Sequence, residues 1–260
     1  MINENTFNDI KARAFSMKYS SILYLKYDDV KNAEIIRDDD KLILFLDRSK
    51  TPVMVYFATN DFASVAKVLG KMTGPLRINF VPQEHVMPLV NMGFEVYGEF
   101  FDYFNRDLPV TADKLGNIAE ATWLDPSRCG EASDISQKCR LQSRGFEGGT
   151  GQWFEEWLAE GNGVIIAQKD SAIVGVCCVS FYDSDSGKTL WIRMMAVDPK
   201  HQGAGFGKLM LEQAIGHGVT KGATIGFLAT DRLNKNAIRL YEKYGFVRNT
   251  DDSEIQMIKQ

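Results

Sequence analysis

The residues best suited to chemistry form a glycine-rich loop, Gln202–Lys208, between a strand pattern that ends at Val197 and a helix pattern. Glycines at alternate positions tolerate backbone dihedrals that point successive amides inward, and they let a ligand approach the main chain closely. The start of the following helix adds unpaired amides and the positive end of its dipole. This combination predicts a binding site for a diphosphate group.

Two common phosphate-binding motifs do not fit this loop. The motif G-x-x-x-x-G-K-S/T requires serine or threonine after the lysine, but Leu209 follows Lys208. The dinucleotide motif G-x-G-x-x-G would place glycine where Lys208 stands, and it normally opens a domain. The spacing therefore excludes both alternatives.

A second motif lies downstream, in the helix pattern Asn234–Tyr244 and the Gly245-Phe246 pair that ends it. The loop and this helix together resemble the GNAT superfamily of N-acetyltransferases. Residues 202–207 fit the family's acetyl-coenzyme A loop, Q/R-x-x-G-x-G/A, and residues 234–246 fit its second signature, N-x-x-A-x-x-L-Y-x-x-x-G-F. The resemblance covers residues 118–260 well and the first half of the chain in outline.

The resemblance implies where acetyl-coenzyme A binds. In this family the strand before the loop separates from the next parallel strand, often at a bulge, and the pantetheine arm lies in the gap like an added strand. Main-chain groups of Met195, Ala196 and Val197 would pair with that arm, and Asn234 would bond it directly or through water. The residues expected to surround the diphosphate are Gln202, Gly203, Ala204, Gly205, Phe206, Gly207 and Lys208.

Tyr241 is the predicted general acid of the acetyl transfer that the resemblance implies. After the amine attacks the thioester, collapse of the tetrahedral intermediate expels a thiolate, which a nearby phenol can protonate. Tyr244 lies three positions further along the same broad helix face and is the competitor. The alternative interpretation of Tyr241 is an aromatic packing residue on an amphipathic helix.

The spacing does not select a general base. Many members of the family place a glutamate on the strand before the loop, but here that strand reads Trp191-Ile192-Arg193-Met194. Carboxylates that could reach the mouth of the cleft, directly or through water, are Glu147, Asp183, Asp185 and Asp231. A solvated surface carboxylate is the ordinary interpretation of each. An amine that arrives partly deprotonated would need no base.

The acceptor pocket is expected before and within a second glycine-rich segment, Gly145–Gly151. Arg140 and Arg144 lie where the family builds this pocket, and two guanidinium groups there could bind a carboxylate or phosphate on the acceptor. Glu147 is a further candidate contact. The aromatic residues that follow, Trp153, Phe154 and Trp157, are expected to form core or cleft wall.

The remaining reactive residues have simpler interpretations. Cys177 and Cys178 are adjacent on a strand pattern, so their side chains should face opposite ways as buried thiols. His201 beside the loop could touch phosphate, but a loop residue without a chemical role is the simpler interpretation. Four cysteines without CxxC spacing and three histidines predict neither a disulfide framework nor a metal site.

Strand and helix patterns alternate in both halves of the chain, which predicts an α/β fold with a mixed sheet. The resemblance implies the acyl-CoA N-acyltransferase fold in two related domains, of which the C-terminal one is complete. Leu89–Phe94 and Leu240–Phe246 end alike, which indicates internal repetition, with chance similarity as the alternative. With the seam in Arg106–Thr111, we expect domains at 1–108 and 109–260.

Some elements bear on the roles of these domains. In the second half, Ile118–Trp123 is predicted as a first strand, Asp183–Lys188 as a polar loop and Glu254–Ile258 as a strand that closes the sheet. In the first half, the segment that corresponds to the cofactor loop, Ala58–Ser64, has no glycine, and Leu89 stands at the tyrosine position. We therefore predict that the first domain binds no cofactor and shapes the acceptor side or an interface.

Composition places the chain among ordinary soluble globular proteins, with 45% hydrophobic and 25% charged residues. A net charge of -4 without a basic run argues against nucleic acid, and no segment approaches the ~20 apolar residues of a membrane span. A cytoplasmic protein with reduced thiols is expected.

The leading hypothesis is N-acetyl transfer from acetyl-coenzyme A to a primary amine of a small molecule, peptide or protein, with a homodimer as one option. The alternative is a module that binds coenzyme A without turnover.

Overall fold

The computed structural model describes residues 2–260, apart from the side chains of residues 250–252. The helices are α1 (Glu4–Ala14), α2 (Tyr27–Val30), α3 (Phe62–Leu69), α4 (Val86–Val90), α5 (Leu108–Leu115), α6 (Cys129–Lys138), α7 (Gly151–Ala159), α8 (Phe206–Thr220) and α9 (Lys235–Lys243). The strands are β1 (Tyr19–Ser20), β2 (Glu34–Asp38), β3 (Leu42–Asp47), β4 (Val53–Thr59), β5 (Leu76–Ile78), β6 (Glu95–Asn105), β7 (Gly163–Lys169), β8 (Ala172–Ser184), β9 (Gly187–Val197), β10 (Ile225–Asp231) and β11 (Val247–Lys259). The chain packs as two compact units, Met1–Glu99 with Ser253–Gln260, and Phe100–Asp252.

The first unit is built on a sheet with the strand order β2-β3-β4-β5-β11. β4 and β5 run parallel, the other neighbours run antiparallel, and β1 pairs with the far end of β4. All of β3 is buried, because α3 and α4 pack on one face of the sheet and α1 packs on the other. A strand covered on both faces requires the continuous apolar run of residues 42–46.

The second unit is built on a sheet with the order β7-β8-β9-β10-β6, to which β6 contributes residues 100–105. β7, β8 and β9 form an antiparallel meander, and β10 is antiparallel to β6. β9 and β10 run parallel, and α8 makes the crossover between them. The sheet is therefore mixed, as the alternating patterns predicted.

Helices pack on both faces of this second sheet. Leu108 of α5, Met210 of α8 and Tyr241 of α9 belong to the apolar cluster on one face. The other face packs against α6 and α7, with Phe154 in the centre of the cluster. Cys177 lies in the first cluster and its neighbour in the second, so the prediction that adjacent cysteines face opposite ways is confirmed.

The strand predicted at Ile118–Trp123 is wrong. The first part of this segment packs on α8, where Gln213 donates from its side-chain nitrogen to the carbonyl oxygen of Glu120 at 2.8 Å. Trp123 alone makes an isolated bridge, opposite Ile165 of β7. The apolar residues of the segment contact a helix. An apolar pattern typical of a strand does not show whether the residues contact a helix or a sheet.

The boundary between the units differs from the predicted seam in Arg106–Thr111. The first unit ends at Glu99, within β6, and residues 253–260 return to it. The predicted closing strand lies within β11 and pairs with β5, with Met257 opposite Ile78 in the register.

The polar loop predicted at Asp183–Lys188 is also wrong. Both ends of this segment continue the ladder between β8 and β9, in which Asp183 stands opposite Lys188 and Ser184 opposite Gly187. The hydroxyl of Ser184 donates to the carbonyl oxygen of Gly187 at 2.9 Å and holds the tight turn. Polar side chains at an exposed hairpin end resemble a loop in the sequence.

Among the described residues, no helix is long and apolar enough to span a membrane.

Candidate active site in the second unit

The parallel pair of strands in the second unit separates part-way along its length. The register of β9 with β10 contains Thr189–Ile225, Leu190–Gly226 and Trp191–Phe227, and in the described chain no later residues of the two strands pair. β9 nevertheless continues to Val197 and β10 continues to Asp231. A gap therefore opens beyond Trp191 and widens toward the carboxyl ends of both strands.

A bulge lies beside this gap. Cys178 pairs with Met194 and Val179 pairs with Ile192, so Arg193 is the extra residue of β9. Such a bulge bends the strand and increases its local twist, which turns β9 away from β10. The separation and the bulge that the family resemblance implied are both present.

The edge of β9 that faces the gap includes the residues predicted to pair with pantetheine. Met195, Ala196 and Val197 pair with β8 on their other side. The Asp198 amide donates to Val174 of β8, so the Val197 carbonyl points the opposite way, into the gap.

Two side chains already donate to the Val197 carbonyl oxygen. The Gln202 side-chain nitrogen lies 3.0 Å from it and the Cys139 sulfur 3.1 Å from it. Both lone pairs of this oxygen therefore have partners. Pairing of a ligand with the Val197 carbonyl would require one of these donors to move, a condition that the sequence did not reveal.

Two glycines shape the bend between β9 and α8. Gly203 has φ of 78° and Gly205 has φ of 89°, a left-handed region that side chains disfavour. A Cβ at either position would meet no atom within 4 Å, so the requirement is conformational rather than steric. Gly207 is helical, and a Cβ there would lie at ordinary contact distance, 3.8 Å, from Leu240 and Val197. This difference explains physically why the motif accepts glycine or alanine at its last position.

The main-chain amides of this bend are available to a ligand. Residues 202–205 are exposed, Phe206 and Gly207 are half-buried, and the amides of residues 203–208 have no hydrogen-bond partner in the described chain. The first amide of the helix with a partner is that of Leu209, which donates to Gly205. The bend is therefore not filled by side chains, and it combines free donors with a helix N-terminus, as a diphosphate requires.

The side chains of the predicted loop serve the loop itself. Gln202 also donates to the side-chain oxygen of Gln142 at 2.8 Å. Phe206 packs against the core, and Lys208 lies 3.8 Å from Glu212 of its own helix. His201 lies 6.2 Å from the Phe206 ring, measured between ring centroids. Any binding of phosphate by this segment thus depends chiefly on the main chain.

Asn234, the predicted pantetheine contact, is the N-cap of α9. Its side-chain oxygen accepts the Ala237 amide at 3.4 Å, and its own amide donates to Asp231 at 2.9 Å. The cap begins α9 at the end of β10, next to the gap between the strands. The side-chain nitrogen of Asn234 takes no part in these bonds.

Tyr241 is buried in the core cluster beneath the sheet, with 7% of its surface exposed. Burial, with a smaller contribution from the Cys177 thiol, raises its pKa well above the ordinary value. The electrostatic environment of its hydroxyl contains no hydrogen-bond partner among the described residues. The ring packs in the core cluster with Cys177.

Tyr244, the competitor, is committed to another contact. Its hydroxyl donates to Glu212 of α8 at 2.7 Å. Burial and this carboxylate raise the pKa of Tyr244. The hydroxyl thus ties α9 to α8, away from any role on a ligand.

The predicted acceptor residues have different environments. Arg144 forms an ion pair with Asp231 at 3.0 Å, and the side chain of Asp231 is fully buried. Arg140 and Glu147 are exposed. The charge of Arg144 is thus compensated within the protein, and the two arginines are not equivalent anion binders. Asp231, a candidate base, is the partner that compensates it.

The other two candidate bases lie far from the gap. Asp183 and Asp185 are exposed at the turn between β8 and β9. This turn precedes β9, whereas the gap opens at the opposite end of the strand, beyond Trp191. The structure therefore does not bring these carboxylates to the gap.

Residues 138–144, here called the strap, cross from one side of the gap to the other. The strap is held to the end of β9 and to the loop by contacts of Lys138 with Asp198, Cys139 with Val197 and Gln142 with Gln202. Arg144 holds it to the end of β10 through Asp231. Sequence reasoning missed these contacts, which join residues 58 to 87 positions apart.

The glycines after the strap fix it to α6. The Gly149 carbonyl accepts from Ser133, Ser136 and Gln137, at 3.0, 3.0 and 3.2 Å. A Cβ at Gly149 would lie 2.8 Å from the ring of Trp153. Gly149 is thus required by close packing, whereas Gly203 and Gly205 in the bend after β9 are required by their dihedrals.

The cysteines show the properties expected of buried thiols. Cys177 is fully buried, and burial raises its pKa to about 12. Phe154 and Trp157 are core residues, while Trp153 is half-buried and stacks on Trp157 with 5.3 Å between ring centroids. Among the residues that the structure describes, no group of three or more His, Cys, Asp or Glu side chains is arranged to hold a metal ion.

Comparison with known proteins agrees with this geometry. The family model described as Acetyltransferase (GNAT) family matches residues 131–246. A mycothiol acetyltransferase of Acidimicrobium ferrooxidans is 24% identical over 157 residues, which are 56% of this chain and 50% of that protein. A mycothiol acetyltransferase of Thermomonospora curvata is 29% identical over 98 residues, 38% of this chain and 32% of that protein. The chain thus spans about half the length, or less, of these curated relatives.

Solved structures share the fold. An acetyltransferase of the GNAT family from Colwellia psychrerythraea has a TM-score of 0.55 at 12% identity, covering 99% of this chain and 97% of that one. A GCN5-related N-acetyltransferase from Sphaerobacter thermophilus has a TM-score of 0.52 at 11% identity, covering 84% of this chain and 80% of that one. At such identities the likeness concerns the fold alone.

Proposed function

We propose that the second unit, whose residues 131–246 match the GNAT acetyltransferase family model, transfers an acetyl group from acetyl-coenzyme A to a primary amine of a small molecule, peptide or protein. The observation that carries the proposal is the set of unpartnered amides at residues 203–208, directly beside the gap between β9 and β10. A diphosphate at the bend and an extended arm in the gap would then share one continuous site.

The residues present fit this cosubstrate. The amides of the bend and the N-terminus of α8 would hold the diphosphate, and the edge of Met195–Val197 that faces the gap would pair with the pantetheine arm once Gln202 or Cys139 releases the Val197 carbonyl. The side-chain nitrogen of Asn234 would donate to the same arm. Acetyl-coenzyme A supplies the activated acyl group as a thioester, and the chain's part is to position it and to manage protons.

Tyr241 would donate a proton to the departing sulfur. A raised pKa keeps the phenol protonated at neutral pH, which is the state that a proton donor requires. Its unpaired hydroxyl has no competing acceptor in the described chain. β9 carries Arg193 beside the gap and no carboxylate between Trp191 and Met194, so the amine would enter partly deprotonated rather than meet a base on this strand.

Release of free thiol from acetyl-coenzyme A, measured across a panel of amines, tests the activity. Tyr241→Phe should lower kcat by about 10²–10⁴, the usual contribution of a general acid, while calorimetry shows unchanged acetyl-coenzyme A affinity. Tyr244→Phe is the matched control, because its hydroxyl is bonded to Glu212, and its kcat should stay near wild type. An equal loss of kcat in both variants would show that Tyr241 acts only as a packing residue.

The second candidate function is a module that binds coenzyme A without turnover. The absence of a carboxylate on Trp191–Met194 favours it, because this part of β9 offers no base to accept the proton of an amine. The same thiol assay decides between the two: tight binding without thiol release from any amine would favour the module.

The first unit is proposed to bind no cofactor. At the N-terminus of α3, the carboxylate of Asp61 accepts the Ala63 amide at 3.1 Å and would repel phosphate. The Thr59 hydroxyl accepts the amide of Asp61 at 3.0 Å, so donors that a phosphate would need are in use. Calorimetric titration should give one site for each chain, and two sites would refute this assignment.

A further inference from the structure

A row of aromatic side chains crosses three strands of the second sheet. Trp191 of β9 stands opposite Phe227 of β10, and Phe227 stands opposite Phe104 of β6. The ring centroids are 6.4 and 5.0 Å apart, with interplanar angles of 30° and 28°, so the rings form a nearly continuous surface. All three are half-buried rather than enclosed in the core.

The position of this aromatic row relates it to the gap. Trp191 and Phe227 form the last parallel pair before β9 and β10 separate. Tyr182, with 39% of its surface exposed, has its ring edge on Phe227 at 6.5 Å between centroids. Ala229, two residues further along the same face of β10, is exposed and carries no side chain that would block access. A ligand lying on the row would thus reach the point where the gap begins.

The far end of the row carries a positive charge. Arg106 is exposed, and its guanidinium carbon lies 5.1 Å from the centroid of the Phe104 ring. A second guanidinium, that of Arg193, lies 5.6 Å from the Trp191 ring. Phe104 is two strands away from β9, which corresponds to about 10 Å at the usual spacing of strands. The row therefore offers a flat apolar surface that ends in a cation suited to an anionic group.

We propose that the aromatic row binds the acceptor, and that the acceptor is an amine that carries an aromatic ring and an anionic group about 10 Å from the nitrogen. A short peptide with an aromatic first residue and an acidic second residue has this chemistry. This inference rests on the proposed function, because it places the reacting nitrogen at the start of the gap. There the N–C bond to the acetyl carbon forms and the C–S bond breaks; the amine loses a proton and the sulfur gains one.

Four C-terminally amidated dipeptides, each with one free amine, separate the ring from the charge: Phe-Glu, Ala-Glu, Phe-Gln and Ala-Gln. Stacking on the row should raise kcat/KM of Phe-Glu over Ala-Glu about threefold to tenfold. The exposed guanidinium should favour Phe-Glu over Phe-Gln about threefold to fivefold, an effect that salt weakens. Equal values for all four dipeptides would overturn the proposal.

Variants assign these preferences to residues. Arg106→Gln should abolish the preference for Glu over Gln and keep the preference for Phe over Ala. Phe104→Leu should reduce the preference for Phe over Ala and keep the preference for Glu over Gln. Arg48→Gln is the comparison, because that exposed arginine lies in the first unit and pairs with Glu34 at the surface; it should leave both ratios unchanged. Loss of stability in Phe104→Leu without a change in either ratio would show that the ring only supports the sheet.

Binding of Phe-Glu in the presence of coenzyme A, measured by calorimetry, separates this inference from the proposed function. One outcome is selective binding of Phe-Glu that Arg106→Gln weakens, together with no thiol release from any amine. It would support ligand binding by the aromatic row and refute acetyl transfer. The opposite outcome is thiol release from other amines, with no preference for a ring or a charge in binding or rate. It would support acetyl transfer and refute acceptor binding by the aromatic row.

Discussion

Replacement of Gly205 by alanine tests whether the bend after β9 depends on its left-handed glycine. Gly205 has φ of 89° and a Cβ there would meet no atom within 4 Å, so alanine brings no clash and only the dihedral cost. That cost is about 1–2 kcal/mol for a residue other than glycine. It must appear either as lower stability, if the bend keeps its shape, or as weaker ligand binding, if the bend relaxes.

Both forms of this cost can be measured. Retained strain of this size corresponds to a fall in Tm of roughly 2–8 °C for a chain of this length. A relaxed bend would turn its amides away, and restoring them on binding would raise the Kd for acetyl-coenzyme A about fivefold to thirtyfold. Differential scanning calorimetry and isothermal titration on the same protein give both values.

Gly207→Ala is the matched control for this experiment. Gly207 lies two residues away in the same motif, but it is helical and a Cβ would have only ordinary contacts at 3.8 Å. Alanine there should be neutral or slightly stabilising, by up to about 1 kcal/mol, because it favours a helix. Equal Tm and Kd for Gly205→Ala and wild type, or equal losses in the two variants, would refute the conformational argument.

Three further predictions concern the strap and the core. Arg144→Ala removes a guanidinium from the buried carboxylate of Asp231 and should lower the free energy of unfolding by about 3 kcal/mol in a urea titration; an unchanged midpoint would contradict this. The hydrogen bond from Lys138 lowers the pKa of Asp198 below its unfolded value, so its stabilisation is present at neutral pH and is lost as pH falls below about 4. Lys138→Met should reduce the fall in Tm between pH 6 and pH 3. An unchanged fall would show that the ion pair of Lys138 with Asp198 is not its cause. Burial raises the pKa of Cys177 to about 12, so a thiol reagent at pH 8 should modify it only after unfolding; rapid labelling of the native protein would refute this.

Local features of the site could be predicted from the sequence. Glycines at 203 and 205 indicate a bend, because the bend depends only on the dihedrals of those residues. The cap at Asn234 is equally local, because it depends on an amide three residues away. The bulge and the parting of β9 from β10 were expected from the family resemblance, because no feature of residues 191–197 alone indicates where pairing stops. The fold class followed from alternating patterns for similarly local reasons.

Long-range partners could not be predicted in this way. Gln202 was expected among the residues around the diphosphate, but the partners of its side chain are the Val197 carbonyl and Gln142, a residue 60 positions earlier. Arg144 was assigned to an acceptor, but Asp231 lies within reach once β10 and the strap are in place. Charge and polarity indicate that a side chain needs a partner, and only the packed chain determines which partner it finds.

The choice of neighbour for a strand was equally non-local. Nothing in the residues of β6 indicates that positions 100–105 pair with β10. The aromatic row was missed for this reason, since Phe104 was placed in the first half of the chain and Phe227 in the second. A register between distant strands depends on topology, which short patterns do not encode.

The return of residues 253–260 to the first unit has a consequence for dissecting this protein. A gene cut between residues 108 and 109 would leave the N-terminal fragment without the segment that borders β5, and would deprive the C-terminal fragment of residues 100–105, the neighbour of β10. Each fragment would then expose an open sheet edge prone to aggregation. Separate production of a first unit therefore calls for a circularly rearranged gene in which codons 253–260 are joined to codons 1–99.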